Sequence, residues 1–151
     1  LLQGLLLNSG NDTAAALARA LGGDAATVAA MTATAAGLGA LDTRPATPSG
    51  LDGPGGASSA YDLALLFRVA MRDPLFAATI ATPSVPFPGY GDMPGFELSN
   101  SSRFRTGYPG ALGGKTGFTD AARHTFVGAA ERDGRRLVVA LVRGEQSPVP
   151  M

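Results

Sequence analysis

The sequence has no cysteine and no tryptophan, a single histidine, His124, and a single lysine, Lys115. Without cysteine there is no disulfide scaffold, no thiolate zinc site and no cysteine nucleophile. The redox compartment stays open, because exported proteins do not require disulfides. Charge is scarce too: 16% of the residues are charged, and 12 basic side chains balance 12 acidic ones. A nucleic-acid binder needs a basic patch and a membrane-surface segment needs a run of like charge; the sequence has neither. No apolar run reaches the roughly 18 residues that cross a bilayer, and no basic segment precedes Leu1 and Leu2, so no spanning or targeting segment is read here. No grouping of His, Asp and Glu has metal-ligand spacing, and neither a metal nor a cofactor is expected.

What the sequence does have is 45% hydrophobic residues, 21 glycines and 11 prolines over 151 positions, enough for one globular domain. Its first half reads as short helices cut by glycine and proline. Asn11 or Asp12 is the expected cap of a helix with Ala14, Leu17, Ala18 and Leu21 on one face, stopped by Gly22 and Gly23. Asp24 starts another, with Val28, Met31, Ala35 and Leu38 at helical spacing. Residues 44–57 hold too many breakers for a regular element. Ser59 and Asp62 make a start resembling a capping box, before the amphipathic face Leu63, Leu66, Phe67, Ala70 and Met71. Asp73 and Pro74 end that helix and begin a short turn through Phe76 and Ile80, and 83–95 reads as loop or isolated edge strand. Two apolar runs, Thr125–Ala130 and Leu137–Ala140, flank Asp133-Gly134, a type I′ hairpin signal.

Three features carry chemistry: Ser9-Gly10-Asn11 just before a helix, the loop Pro48-Ser49-Gly50-Leu51-Asp52, and Lys115-Thr116-Gly117 just before the first strand of the hairpin. Alone, the first is an ordinary helix start and the last a turn into a strand. In order, Ser-x-Asn heading a helix followed by Lys-Thr-Gly is part of the motif set of penicillin-recognising serine enzymes. Leu5 to Asp12, Ser49 to Asp52, Ser59 to Ala64, Tyr108-Pro109-Gly110 and Gly114 to Ala122 extend the match along nearly the whole chain. Together they resemble the D-alanyl-D-alanine carboxypeptidases of the low-molecular-weight penicillin-binding proteins, serine peptidase family S11.

That resemblance implies an α/β (α+β) architecture: the penicillin-binding protein/β-lactamase-like transpeptidase fold, an antiparallel sheet flanked by helices, incomplete in this chain. Residues 1–95 are then mainly a helical lobe, and 96–151 hold the third-motif strand and a C-terminal hairpin. The implied reaction removes the terminal D-alanine of peptidoglycan pentapeptides through an acyl-serine intermediate, outside the cytoplasmic membrane. β-Lactams are the implied acylating inhibitors, and any membrane anchor would lie outside this span. By matching position, Ser9 passes a proton between the absent lysine and the leaving amine, and Asn11 holds the substrate amide and orients that lysine. Lys115 and Thr116 read the substrate carboxylate, Gly117 clears the strand for the substrate, and the Phe118 backbone N–H is one oxyanion donor. The family's Ser-x-x-Lys motif is absent: Lys115 is the only lysine and Leu112 stands three residues before it. The opening at Leu1 in mid-pattern and the Pro-rich tail Ser147–Pro150 lead us to expect a fragment of a longer enzyme, inactive in isolation.

Two alternatives remain. A non-catalytic module that recognises penicillin or cell-wall peptide would keep Lys115-Thr116-Gly117 without Ser-x-x-Lys. A class A-type β-lactamase needs a deacylating carboxylate, and Glu97 lies too close to Lys115 in sequence for that role. A Ser-His-Asp triad through His124 is conceivable, but a rim or packed residue is the expectation there. Arg103, Arg105 and Arg123 are expected at the surface.

Overall fold

Helices and strands divide the chain where its periodicity changes. The computed structural model describes residues 1–146, and the tail Ser147–Pro150 lies outside them. Five helices come first: α1 (Leu2–Asn8), α2 (Asn11–Ala20), α3 (Asp24–Gly37), α4 (Ala60–Ala70) and α5 (Pro74–Ala81). A ribbon of β1 (Ser84–Phe87) and β2 (Phe96–Ser99), the short α6 (Phe104–Gly107), and a sheet of β3 (Ala111–Thr119), β4 (Arg123–Arg132) and β5 (Arg135–Gly144) follow. The sheet is antiparallel in the order β3-β4-β5.

Several local expectations are corrected. Gly10, not Asn11 or Asp12, is the N-cap of α2, and its carbonyl accepts from Ala14 N at 3.0 Å and Thr13 Oγ1 at 2.6 Å. Ser9 already ends α1, so the next helix starts with no residue to spare. Leu21 is not on a buried face: it caps the C-terminus of α2 and is 64% exposed. Ala14 and Ala18 of the expected face are buried, together with Thr13. The edge strand offered for residues 83–95 is present but not isolated: Ser84–Phe87 pairs with Phe96–Ser99, and the Phe87 and Phe96 ring centroids lie 5.4 Å apart. A two-stranded ribbon tolerates Pro86, whose missing N–H matters only on a paired edge.

The start of α4 is as expected, with Ser59 Oγ accepting from Asp62 N at 3.2 Å. Phe67 on α4, Ile80 on α5 and Ala129 on β4 form the core, with Leu6, Met71, Phe76, Leu112, Val127 and Val138 packed around them. Truncating Phe67 to Ala would cost about 3–5 kcal/mol. The hairpin turn forms at Asp133 and Gly134, both at positive φ (49° and 71°), as type I′ requires.

Lys115-Thr116-Gly117 lies on β3, the strand that precedes the β4–β5 hairpin and pairs with β4, with Lys115 opposite Val127 and Thr116 opposite Phe126. Two of the glycines that hide this strand from propensity are packing requirements. A Cβ at Gly113 would come within 2.7 Å of Ile80 Cγ2, and one at Gly114 within 2.8 Å of the Phe126 ring. Cross-strand partners share a face. Lys115 therefore shares with Val127 the face packed against α4 and α5, while Thr116 shares with Phe126 the opposite face, which α6 covers through Phe104.

Candidate active site

The site is built where the end of α1 meets the outer edge of β3. Ser9 is the C-cap of α1 in the left-handed conformation, φ 55° and ψ 39°. A non-glycine residue adopts this conformation at some cost and is held there by its surroundings. Its N–H donates to Leu5 O at 3.1 Å and Gly10 N–H to Gly4 O at 3.0 Å, so two successive backbone groups lock the turn. The locked turn leaves the Ser9 side chain against β3, where Lys115 Nζ donates a hydrogen bond to Ser9 Oγ. Lys115 Nζ also donates to Thr116 O at 2.7 Å.

Burial pushes the Lys115 ammonium below its ordinary pKa of 10.5. Among the described residues the only ion pair is Arg136–Glu131, so no carboxylate compensates Lys115. A partly desolvated cation held by two neutral acceptors still has one N–H to offer an incoming anion.

Ser101 completes the wall and was not foreseen. Its N–H donates to Leu7 O at 2.7 Å, in the last turn of α1, and its hydroxyl lies 3.4 Å from Thr116 Oγ1. The neighbouring Asn100 fixes that loop: Nδ2 donates to Ile80 O (3.2 Å) and Thr82 O (3.1 Å), and Oδ1 accepts from Ser102 N (2.9 Å). The sequence signal was the polar run Ser99 to Ser102, which by itself reads only as loop.

The other expected residues divide. Asn11 is exposed as the first residue of α2, and among the described residues its side chain makes no hydrogen bond. The space beside Gly117 is not open on every side, since a Cβ there would meet Thr125 Oγ1 at 2.7 Å. Phe118 is exposed, with the His124 ring tilted against it at 4.8 Å and the Arg123 guanidinium over its ring at 5.5 Å. His124 is thus a packed rim residue, as expected. Arg103 and Arg105 are exposed and line a hollow of about 410 Å³ with Asn8, Ser101 and Ser102. A larger cavity of about 480 Å³ lies between α4 and β5, at Tyr61, Met71, Ala129 and Val138, away from the polar cluster. The convergence of Ser9, Lys115, Thr116 and Ser101 outweighs size as a marker of chemistry. Among the described residues no three His, Asp or Glu side chains are grouped to hold a metal ion.

Comparison with known proteins follows the same geometry. Residues 1–146 match the peptidase S11 family, described as D-alanyl-D-alanine carboxypeptidase. The carboxypeptidase DacB2 of Mycobacterium tuberculosis is 57% identical over 146 residues, which are 95% of this chain and 50% of that protein. A crystal structure of a D-alanyl-D-alanine carboxypeptidase from M. tuberculosis H37Rv superposes with a TM-score of 0.89 at 54% identity, covering 96% of this chain and 55% of that one. The Streptomyces K15 DD-transpeptidase superposes with a TM-score of 0.86 at 26% identity, over 93% of this chain and 58% of that one. The chain spans about half the length of the curated relative it matches at 57% identity. Its helices and antiparallel sheets are those of the penicillin-binding protein fold.

Proposed function

The chain belongs to the D-alanyl-D-alanine carboxypeptidase family, peptidase S11, and on that premise we propose that it is part of the catalytic domain of a serine D-Ala-D-Ala carboxypeptidase. Its substrate would be the peptidoglycan pentapeptide, met in the periplasm or cell wall. Residues 1–95 would supply the helical lobe, and 96–151 the third-motif strand and hairpin. The observation that carries this reading is the hydrogen bond from Lys115 Nζ to Ser9 Oγ, between residues 106 positions apart.

In this reading the nucleophilic serine and its lysine base come from chain outside these residues. The nucleophile attacks the carbonyl carbon of the penultimate D-alanine, the C–N bond to the terminal D-alanine breaks, and an acyl ester remains for water to hydrolyse. The lysine base takes the nucleophile's proton and returns it through Ser9 Oγ to the departing amine, because a hydroxyl does not release a proton unaided. Lys115 occupies one lone pair of Ser9 Oγ, which leaves the Ser9 proton free to point at the leaving group and stabilises negative charge on the oxygen during transfer. The terminal carboxylate lies against Thr116 and Ser101 with Lys115 as counter-charge. Asn11 holds the substrate amide, Gly117 lets the substrate lie along β3, and Phe118 N–H contributes one oxyanion donor.

Fluorescent penicillin tests the reading. The complete gene product is expected to be labelled covalently, and the label to disappear when the serine of its Ser-x-x-Lys is replaced by alanine. The 151-residue chain alone is expected to stay unlabelled. An unlabelled complete protein would instead favour the non-catalytic peptide-binding module. Labelling of the short chain that Ser9→Ala abolishes would make Ser9 the nucleophile and overturn the relay.

A further inference from the structure

Residues 44–57 form a loop of the Ω type, whose ends meet through Arg44 N–H to Ala57 O at 2.7 Å and Ala57 N–H to Arg44 O at 3.0 Å. Its root is pinned by the buried Asp62 of α4, whose Oδ2 accepts from Asp42 N at 2.8 Å and Thr43 Oγ1 at 2.9 Å. Within it, Thr47 Oγ1 donates to Leu51 O at 2.9 Å, and a Cβ at Gly53 would meet Ala46 Cβ at 2.8 Å. The loop is therefore closely packed and has little freedom to drift. At its tip Asp52 Oδ2 accepts from Ala121 N at 3.1 Å, between residues 69 positions apart. Ala121 lies in the turn between β3 and β4, two residues after Thr119, which ends the strand that carries Lys115-Thr116-Gly117-Phe118.

We infer that Asp52 is a positioning residue: carried on a rigid loop, its carboxylate tethers the β3–β4 turn to the helical part of the chain and so fixes the end of the strand that bears Thr116 and Phe118. This rests on the reading that β3 carries the site. The turn does not need the tether in order to close, because the β3–β4 ladder runs up to Thr119–Arg123 and Ala122 N donates to Thr119 Oγ1 at 3.0 Å. What the tether adds is location. The ionised form is the one held: the Thr119 hydroxyl first, then the N–H groups of Ala121 and Asp120, keep Asp52 below its ordinary pKa of 3.8 against a smaller opposing effect of burial.

The test compares Asp52→Ala and Asp52→Asn in the complete gene product. In Asp52→Ala the ¹⁵N order parameters of Phe118 to Ala122 are expected to fall below about 0.6 while those of α4 stay unchanged. kcat on a D-Ala-D-Ala peptide should drop about tenfold at nearly constant KM, because a misplaced oxyanion donor is felt only in the transition state. Asn, which keeps an acceptor oxygen, should restore most of both. Unchanged order parameters overturn the tether, and so does loosening spread evenly through α4 and β4. Loosened residues with an unchanged kcat overturn its positioning role. If the unsubstituted protein releases no D-alanine, the carboxypeptidase reading fails by itself, and the order parameters alone decide the tether.

Discussion

Lys115 is the residue on which the site turns, and its uniqueness makes it measurable. As the only lysine of these 151 residues, it gives a single side-chain ammonium signal in the 151-residue chain labelled at lysine carbons. That signal is expected to titrate below 10.5, because burial disfavours the charged form. Below the lowered pKa the folded protein holds a desolvated ammonium at a cost. As pH rises from that value towards 10.5 the folded state sheds the proton while the unfolded chain keeps it, so stability increases across this window. Attraction for a substrate carboxylate falls across the same window. A midpoint at or above 10.5 would contradict the buried placement. Lys115 and Ser9 were both legible from motif order, since each triplet has a neighbourhood that extends the match. Ser101 was not, because its role depends on Thr116 lying 3.4 Å away across 15 positions of sequence.

At the scale of elements, the start of α4 was readable and its second role was not. Ser59 three residues before Asp62 announces a cap, and Ser59→Ala should cost about 1 kcal/mol. Asp62 also satisfies Asp42 N–H and the Thr43 hydroxyl, 20 and 19 positions earlier, which no local pattern reveals. Asp62→Ala leaves those donors unpaired in a buried place and should cost about 3 kcal/mol. Urea unfolding of both variants checks the order; a smaller loss for Asp62→Ala than for Ser59→Ala would remove Asp62 as the anchor of the loop root. The extent of β3 was not readable for a related reason. Gly113, Gly114 and Gly117 lower strand propensity, yet the first two are required by the approach of Ile80 and Phe126. The helix α1 was hidden because its cap, Leu1, makes no side-chain hydrogen bond.

Across the whole molecule the sheet has two unlike edges. β3 offers its outer edge beside Ser9, where the site lies. β5 exposes Leu137 (73%), Val139 (45%) and Leu141 (44%) along one face. An open apolar edge strand recruits other strands. The 151-residue chain is therefore expected to self-associate at micromolar concentration in sedimentation velocity, and Val139→Lys with Leu141→Lys to return it towards a monomer. A monomer that melts cooperatively without these substitutions would show that β5 needs no cover. The motifs announced the fold family, since their order constrains connectivity. They did not announce how α1, the Ω-loop and the Asn100 loop converge on β3, because each junction is a contact distant in sequence.

The central claim, that Ser9 relays a proton under the hold of Lys115, is tested most directly by the release of D-alanine. The complete gene product is mixed in single turnover with a peptide ending in D-Ala-D-Ala, beside its Ser9→Ala variant. The unsubstituted protein should release D-alanine, and Ser9→Ala should slow acylation by about 10²- to 10⁴-fold, the range for loss of a positioned proton-transfer group. Release at an equal rate by Ser9→Ala would contradict the relay.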